Sequence, residues 1–353
     1  MKKRLWVSVL VVFVFLLGTS LTSFAAEPVY KLKLQAWRVA SEKAMAYYKD
    51  LVEKDIPAMT NGRVQIKMYW GGDLVKVPEM LNAVKTGTID MGLSSPYYYA
   101  GQIPAAAVEY GLPYGFRHPG EVHNFFYGEK LPGTFGGWKA IDVLKKEYEK
   151  YGVHLLVSGY DCWPSYTMFR TPVKTVADIK GKKVRVSGLM MNWFQKLGGQ
   201  GVFIPGEDTY NALQTGAIDG ASWGGAMGMW SMKFHEVAKY YFGPAVIPVA
   251  CANVIVNKKV WDSMPKDIQK ILENGFAMAG VEFTNHQNWT GEQWGLNKMK
   301  AAKVQISELK GADYEKGLQA AIEIWDEVAK KDAASAKLVA MQKDYMKQMG
   351  YLK

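Results

Sequence analysis

The sequence predicts an α/β protein with two similar lobes, and three observations lead to this prediction. The segments NAVKTGTIDMGL, residues 82–93, and NALQTGAIDGAS, residues 211–222, nearly repeat each other, one in each half of the chain. Each reads as the end of a helix, a glycine cap and a short strand, and a strand-like stretch precedes each helix. The chain of 353 residues also exceeds what a single hydrophobic core usually supports.

The two repeats define β-α-β units, which build parallel sheets because parallel strands need a crossover connection, usually a helix. The strand-like stretches VQIKMYW and GVFIP come before helices that carry proline and acidic residues in their first turns. Gly87 and Gly216 stand where a left-handed helix cap favours glycine. Ligands of open α/β sheets bind beyond the carboxyl ends of the strands. We therefore expect the residues after both repeats to line one cleft between the lobes.

The remaining elements follow from hydrophobic spacing, taken in chain order. VYKLKLQAW predicts a first strand, residues 41–59 a helix, YGVHLLVSGY a strand, and TVADIKGKKVRVSG a helix, a turn and a strand. LMMNWFQKLGG then predicts a helix, CANVIVNKKVW a strand, residues 265–302 a long helix, KVQISEL a strand and residues 314–347 an amphipathic helix. The sequence contains no low-complexity linker, so we expect the chain to cross between the lobes within strands.

Residues 1–25 have the order of a secretory signal peptide. Basic MKKR is followed by apolar LWVSVLVVFVFLLG and by small polar TSLTSFAAEP, with Ser23 and Ala25 at the two positions that a signal peptidase reads. The apolar run is short for a membrane anchor, which needs roughly 20 apolar residues. No cysteine lies near the cleavage point, so a lipid anchor is not expected. We predict cleavage after Ala25 and a soluble protein in a bacterial periplasm.

The chain is basic, with a formal net charge of +10, of which Lys2, Lys3 and Arg4 of the leader carry three charges. The other basic residues are scattered, and KGKK at 180–183 is the densest group. Such a surface attracts small anions by long-range steering. Export and the absence of a Lys/Arg-rich run argue against a nucleic-acid partner.

The two cysteines of the sequence, Cys162 and Cys251, leave two alternatives open. In an oxidising compartment they pair as a disulfide, or they stay as two buried thiols. Their positions in the sequence do not decide between these states.

Common catalytic motifs are absent from the sequence, among them G-x-S-x-G, H-E-x-x-H and the P-loop. The five histidines, at positions 118, 123, 154, 235 and 286, show no metal-ligand spacing. We therefore predict a binding protein and not an enzyme, without a cofactor or a metal ion. The alternative is an exported α/β enzyme that uses Asp161, Cys162 or a histidine.

Five segments resemble the solute-binding subunit of tripartite ATP-independent periplasmic (TRAP) transporters, and the resemblance covers nearly the whole mature chain. They are VADIKGKKVRVSG, PGEDTYNALQTGAIDGASW, HEVAKYY, VNKKVWDSMPKDIQ and GTIDMGLSSPYYYAG. The last is similar above all to the branch that binds small 2-oxo and hydroxy acids. The resemblance implies two α/β lobes, joined by crossing strands and braced by a long helix, that close over a carboxylate ligand. It also implies delivery to integral membrane subunits; a receptor for an ATP-driven importer or a sensor kinase is the alternative.

The expected lobes are not contiguous in sequence. Residues 26–154 with about 252–285 are predicted to form the N-terminal lobe. Residues 155–251 with about 286–353 are predicted to form the C-terminal lobe and the bracing helices.

Arg185 is the first candidate for ligand binding. In KKVRVSG, Val184 and Val186 face one side of the predicted strand, and Arg185 and Ser187 face the other. A guanidinium is a planar fork that meets a carboxylate through two parallel hydrogen bonds. From the residues alone, a solvated arginine on an edge strand is the alternative. The resemblance implies the binding role, since the family's carboxylate-binding arginine falls in this strand.

Three further candidates, Trp223, Ser222 and Ser165, come from the resemblance. A tryptophan stands at the position of Trp223 in the oxo-acid branch, preceded by an acid that helps to bind a metal ion; this chain has Ser222 there. Ser165 falls near the place where the family often has glutamine or arginine. These departures argue against a bound cation and against a simple 2-oxo acid as the ligand. Core packing is the alternative role of Trp223.

Aromatic residues supply the remaining candidates. Tyr97 and Tyr98, ranked above Tyr99, and Trp37 and Trp163 are expected to add phenol groups and aromatic walls to the cleft, although each could equally pack in a core. Residues 188–191 begin a helix, whose free N–H groups offer a second contact for an anion. The methionines of GLMMNW and GAMGMW add sulfur to this region. We expect a ligand that combines a carboxylate with an apolar or aromatic body.

Overall fold

The structure, a computed structural model, describes residues 29–352 except 41, 43, 44, 130–135 and 205, and it leaves the side chains of 207 and 287–289 undescribed. The predicted signal peptide, residues 1–25, lies outside the described residues. Within the described part of the chain, no helix is long and apolar enough to cross a membrane.

The strands of the described residues form one curled sheet with the order β2-β1-β3-β8-β4-β7-β5-β6, and β9 pairs with β8 off this path. Two of the strands, β4 and β8, are much longer than the others. The strand bounds are β1 (Tyr30–Ala36), β2 (Val64–Tyr69), β3 (Met91–Ser94), β4 (Val153–Phe169), β5 (Lys183–Arg185), β6 (Gln200–Val202), β7 (Gly220–Ala221), β8 (Tyr240–Asn257) and β9 (Gln305–Glu308).

Helices cover the sheet and supply its crossover connections. In chain order they are α1 (Ala46–Asp50), α2 (Ile56–Met59), α3 (Met80–Thr86), α4 (Ala106–Tyr110), α5 (Pro119–Tyr127), α6 (Ala140–Glu149), α7 (Leu189–Lys196), α8 (Gly206–Thr215), α9 (Ala226–Ser231), α10 (Phe234–Val237), α11 (Lys258–Ser263), α12 (Lys266–Asn285), α13 (Glu292–Ala301), α14 (Gly311–Ala329) and α15 (Ala333–Gln348). π-Helical turns at Leu51–Asp55 and His286–Gly291 join α1 to α2 and α12 to α13. The predicted long helix at 265–302 is therefore interrupted by a π turn. Short 3₁₀ turns lie at Val77–Glu79, Pro96–Tyr99 and Val176–Ile179.

The sheet consists of two parallel groups on either side of β4 and β8. In the first group, β1 is parallel to both β2 and β3; in the second, β5 is parallel to both β6 and β7. Strands β4 and β8 run antiparallel to each other from the first group to the second. Each group alone is a β-α-β structure with its own helices. The prediction that the chain crosses between two α/β lobes within strands is confirmed.

The two repeated segments make the same hydrogen bonds. The carboxylate of Asp90 accepts from the amide of Lys33 in β1 at 2.8 Å, and the carboxylate of Asp219 accepts from the amide of Lys183 in β5 at 2.8 Å. The amide of each aspartate donates in return to the carbonyl of the same lysine, at 3.0 and 2.7 Å. Each aspartate thus joins the strand that it begins to the strand beside it. This shared bonding explains why the segment occurs once in each half.

Glycine ends the helix of each repeat in the same conformation. Gly87 follows α3 with φ of 78°, and Gly216 follows α8 with φ of 79°. Glycine adopts this left-handed region without the steric cost of a Cβ. One residue earlier, the hydroxyls of Thr86 and Thr215 donate back to the carbonyls of Asn82 and Asn211, at 3.0 and 2.9 Å. The local sequence therefore determines both of these helix-to-strand connections.

Helix α14 braces the two halves of the molecule. The indole of Trp325 in α14 donates to the carbonyl of Pro113 at 2.8 Å. The indole of Trp193 in α7 donates to the carbonyl of Gly317 in α14 at 2.9 Å. Both tryptophan side chains are fully buried. The helix is thus fixed to the loop after α4 on one side and to the helix after β5 on the other, as the resemblance implied.

Candidate functional site

Residues that follow strands of both groups meet between the two halves. The 3₁₀ turn Pro96–Tyr99 follows β3, and Gly188 lies just beyond β5. A Cβ built on Gly188 would lie 3.2 Å from ring atoms of both Tyr97 and Tyr110. A Cβ built on Gly224, in the loop after β7, would lie 3.6 Å from the ring of Trp163. The carboxyl ends of the parallel strands therefore form one region, as expected for a ligand cleft.

Arg185, the last residue of β5, lies in this region and is only 7% exposed. Its Nε donates to the carbonyl oxygen of Ile204 at 3.0 Å, and its Nη1 donates to the carbonyl oxygen of Ser222 at 2.7 Å. The guanidinium carbon lies 4.8 Å from the ring centroid of Trp223, a cation–π contact. These contacts fix the plane of the guanidinium. The alternative of a solvated surface arginine does not describe this side chain.

Trp223 and Ser222 both contact Arg185. The amide of Ser222 donates to the carbonyl oxygen of Arg185 at 2.9 Å, which continues the pairing of β5 with β7. A Cβ built on Gly206, at the start of α8, would lie 2.4 Å from the six-membered ring of Trp223. Trp223 is partly buried. Close packing against a glycine therefore holds its ring under the guanidinium.

Tyr97 and Tyr98 lie on the turn after β3, and Tyr98 is close enough to Arg185 for the charge to affect its pKa. The ring centroids of Tyr97 and Tyr98 are 6.3 Å apart, and that of Tyr97 is 6.0 Å from Tyr110. Burial raises the pKa of Tyr98, and the positive charge of Arg185 opposes that rise. The phenol of Tyr98 is therefore neutral at physiological pH and lies within the electrostatic reach of the guanidinium. A neutral phenol can donate a hydrogen bond to a ligand oxygen.

Tyr99 is directed away from this region. It is completely buried and packs edge-on against Tyr148, with ring centroids 6.3 Å apart. Two methionines of the predicted sulfur-rich stretches, Met190 and Met229, are also buried, each in an apolar core. Met190 and Met229 therefore serve packing.

Trp163 and Trp37 extend the region along β4 and the end of β1. Their ring centroids are 5.6 Å apart, and Trp163 lies 6.2 Å from Tyr110. Ser165 is buried on β4, and together with Ser187 it interacts with the hydroxyl of Tyr110. Burial raises the pKa of Tyr110 to about 12, against the effect of these two serines. The eight candidate residues from the sequence thus form one continuous cluster, to which Tyr110 belongs as well.

Arg38 is a second guanidinium at this cluster that the sequence analysis missed. It is 8% exposed, and its guanidinium carbon lies 4.4 Å from the ring centroid of Trp37 and 4.6 Å from that of Trp163. Its Nη1 pairs with Glu42 at 3.0 Å and its Nη2 with Asp161 at 3.6 Å. The sequence did contain a signal for Arg38, because this residue follows the end of β1 much as Arg185 ends β5. Arg185 donates to two carbonyl oxygens, and Arg38 pairs with two carboxylates.

Three buried donors of this cluster have no hydrogen-bond partner within the described part of the chain. They are the indole Nε1 of Trp37 and the Nε and Nη2 of Arg38, of which Nη2 lies at ion-pair distance from Asp161. Buried polar groups are usually satisfied by protein, water or a ligand, because an unmade bond costs about 1–3 kcal/mol. Among the described residues, no group of three or more His, Cys, Asp or Glu side chains could hold a metal ion. The cluster is thus rich in donors and aromatic faces.

Two α/β lobes with crossing strands, and an oriented arginine between them, define an extracytoplasmic solute-binding protein. The family model described as "Bacterial extracellular solute-binding protein, family 7" matches residues 38–332. The chain belongs to this family, and it is a TRAP periplasmic solute receptor.

Relatives and solved structures support this assignment. The chain is 29% identical over 301 residues to the Monocarboxylate 2-oxoacid-binding periplasmic protein of a Nostoc species, covering 85% of this chain and 80% of that protein. It is 30% identical over 254 residues to the 2,3-diketo-L-gulonate-binding periplasmic protein YiaO of Escherichia coli, covering 70% of this chain and 72% of that protein. It is similar to the crystal structure of a TRAP solute-binding protein from Colwellia psychrerythraea with bound calcium and pyruvate. The TM-score is 0.80 and the identity 26%, over 91% of this chain and 95% of that one.

The fold class and the receptor role expected from the sequence are thereby confirmed. The exact lobe boundaries and the roles of the individual site residues stay predictions.

Proposed function

We propose that this receptor binds a small organic anion between its lobes, with the ligand carboxylate on Arg185, and delivers it to integral membrane subunits of a TRAP transporter. The observation that carries the proposal is the environment of Arg185. It is a buried guanidinium at the meeting point of both halves, and two carbonyl oxygens and the ring of Trp223 fix its orientation.

The arrangement favours a carboxylate for electrostatic reasons. A charge-assisted hydrogen bond to arginine is roughly twice as strong as a neutral one, and exclusion of water strengthens it further. The guanidinium is already fixed by its contacts to Ile204, Ser222 and Trp223, so little side-chain entropy is lost on binding. Tyr98 lies within the electrostatic reach of Arg185, and its neutral phenol can donate to the same ligand.

The walls of the cluster favour a flat or apolar ligand body. Tyr97, Tyr110, Trp163 and Trp37 follow one another at ring distances of 5.6–6.2 Å, so they present successive aromatic faces. Related receptors were solved with pyruvate, picolinate and orotic acid. We therefore expect a carboxylate that bears an apolar or aromatic body, bound without a chemical reaction.

Binding is expected to close the cleft. Tyr97 and Tyr110 of one half contact Gly188 of the other, so a ligand that joins both sides stabilises this closed arrangement. The closed form is then the one that the membrane subunits recognise. Membership of the TRAP family favours this partner over an ATP-driven importer or a sensor kinase.

The test compares the R185A and R170A variants. Arg170 is exposed, near the end of β4, and serves as the matched arginine control. Mass spectrometry of what co-purifies with the wild type identifies a first ligand, and pyruvate, picolinate and orotate serve as calorimetric probes. We expect R185A to fold and to lose about 2–4 kcal/mol of binding free energy, while R170A binds as the wild type does. Unchanged affinity in folded R185A would contradict the proposal.

A further inference from the structure

The two cysteines of the chain face each other across the two crossing strands. Cys162 of β4 is the register partner of Cys251 of β8. Their Sγ atoms lie 3.1 Å apart, and both side chains are buried. The sequence contains these two cysteines and no other. Each thiol therefore has a single intramolecular candidate for pairing.

The pair lies where β4 and β8 pass between the two halves of the sheet. Register shifts interrupt the ladder between Ser158 and Cys162 and again between Trp163 and Ser165. The pairs Cys162–Cys251 and Trp163–Ala250 form a short regular stretch between these irregular segments. Trp163 is also a wall of the candidate ligand site. The cysteines therefore join the crossing strands at their centre, next to the site.

We propose that Cys162 and Cys251 form a disulfide when the chain folds in the periplasm, and that this bond holds the two crossing strands together. Residues directly opposite in an antiparallel pair have Cα atoms about 4.5–5.5 Å apart, within the range that a disulfide spans. The bond forms by exchange with the disulfide of an oxidised thiol–disulfide oxidoreductase. The two thiols give up two protons and two electrons, and the donor disulfide is reduced to a dithiol.

The surroundings of the pair restrict when this exchange can occur. The amide of Cys162 donates to the hydroxyl of Thr284 at 2.7 Å, so the end of α12 covers this part of β4. Exchange requires access and a thiolate, and burial raises the pKa of the Cys251 thiol. The bond therefore forms before the lobes are complete. A chain that folds in a reducing compartment keeps both thiols after purification.

The disulfide is expected to act on the unfolded chain and on the hinge. The two cysteines are 89 positions apart, so the bond closes a long loop in the unfolded state. In the folded state it keeps the central strand pair intact. Bending between the lobes is then confined to the irregular segments on either side.

The experiment uses the mature chain produced in two compartments. A sample exported to the periplasm and a sample expressed without residues 1–25 in the cytoplasm are unfolded in guanidinium with an excess of a thiol-alkylating reagent. We expect no label on the periplasmic sample and two labels on the cytoplasmic sample. Before labelling, the mass of the periplasmic sample should be lower than that of the cytoplasmic sample by two hydrogens, or about 2 Da. After reduction in denaturant, both samples should accept two labels.

A stability measurement provides the second readout. We expect the thermal midpoint of the periplasmic sample to exceed that of the cytoplasmic sample by about 5 °C or more, and the double variant C162A/C251A to show no difference between compartments. Two labels on the periplasmic wild type would overturn the proposal. Neither readout uses a ligand, so a failure here is independent of the proposed function.

Discussion

Tyr98 and Tyr99 are neighbours in sequence, but their side chains lie in different environments. Tyr98 is within reach of the charges of Arg185 and Arg38, which oppose the burial-induced rise of its pKa. Tyr99 is completely buried and packs edge-on against Tyr148. The 3₁₀ turn Pro96–Tyr99 separates them, because successive side chains of such a turn point in different directions. Substitution of Tyr98 therefore tests the site, and the same substitution of Tyr99 is its control.

We expect Y98F to bind the ligand more weakly by about 1.5–3 kcal/mol, the usual value of a hydrogen bond to a charged group. Y99F removes the same hydroxyl from the neighbouring residue outside the cluster and should leave the affinity unchanged. Calorimetry with the co-purified ligand measures both variants. Equal affinities for wild type, Y98F and Y99F would show that the Tyr98 hydroxyl makes no ligand contact.

Sequence reasoning found Arg185 and missed Arg38 and Tyr110, for a physical reason. Arg185 alternates with apolar residues in a predicted strand, and the family resemblance implies a carboxylate-binding arginine in that strand. The surroundings of Arg38 come from Trp163 in β4 and Phe283 in α12, far away in the chain. The position of Arg38 after a strand was visible in the sequence, but its contacts with distant segments leave no periodic pattern in a single sequence.

At the scale of elements, Gly188 connects a strand of one half to the aromatic turn of the other. It precedes α7 with φ of 67° and ψ of −152°, a conformation that is essentially restricted to glycine. A Cβ there would lie 3.2 Å from atoms of both Tyr97 and Tyr110. Gly198, just beyond the other end of α7, also has positive φ, at 85°. The nearest neighbour of a Cβ there would be the side chain of Lys180, at 3.5 Å.

We expect G188A to lose stability through backbone strain of about 1–3 kcal/mol and, in addition, to bind the ligand more weakly because the lobes no longer approach fully. G198A carries backbone strain at the other end of the same helix and should lose stability with unchanged affinity. Thermal unfolding and calorimetry separate the two effects. If G188A kept the affinity of G198A, the contact of Gly188 with the tyrosines would play no part in closure.

The elements themselves were largely predictable where local sequence determines them. Both repeated corners follow from a helix cap, a glycine and an aspartate that occur within a few residues of each other. The irregular pairing of β4 with β8 was not predictable, because its register shifts depend on the packing of both lobes. The π turn at His286–Gly291 was missed for a similar reason, since the sequence there continues a helical pattern.

At the scale of the whole molecule, a buried carboxyl group lies among α4, α6 and β8. Glu109 accepts hydrogen bonds from the hydroxyl of Tyr148 at 2.6 Å and from the amide of Asn253 at 2.9 Å. Burial nevertheless raises the pKa of Glu109 to about 7. A folded-state pKa above the unfolded value means that the folded protein binds the proton more tightly. The resulting stabilisation is complete at low pH and is lost as the pH rises through about 7.

Other buried groups complicate the pH profile of the wild type. Burial lowers the pKa of His154 to about 4, so its contribution to stability increases as the pH rises from about 4 to 6.5. Burial raises the pKa of Asp161 to about 6, with the same sign as for Glu109. A difference between the wild type and a Glu109 variant removes both contributions, since His154 and Asp161 are present in both proteins.

We therefore expect the difference in unfolding free energy between the wild type and E109Q to fall by about 1 kcal/mol between pH 6 and pH 8, because only the wild type releases a proton at Glu109 in this range. Glutamine keeps the shape of the side chain and, like the protonated carboxyl group, has one acceptor oxygen and a donor, so E109Q should fold. Urea unfolding at constant ionic strength measures both proteins at each pH. A lysine-to-glutamine change at exposed Lys49 serves as the control and should give a difference that is independent of pH. A constant difference for E109Q as well would mean that Glu109 is already charged in the folded protein at pH 6, and that its hydrogen bonds to Tyr148 and Asn253 offset its burial.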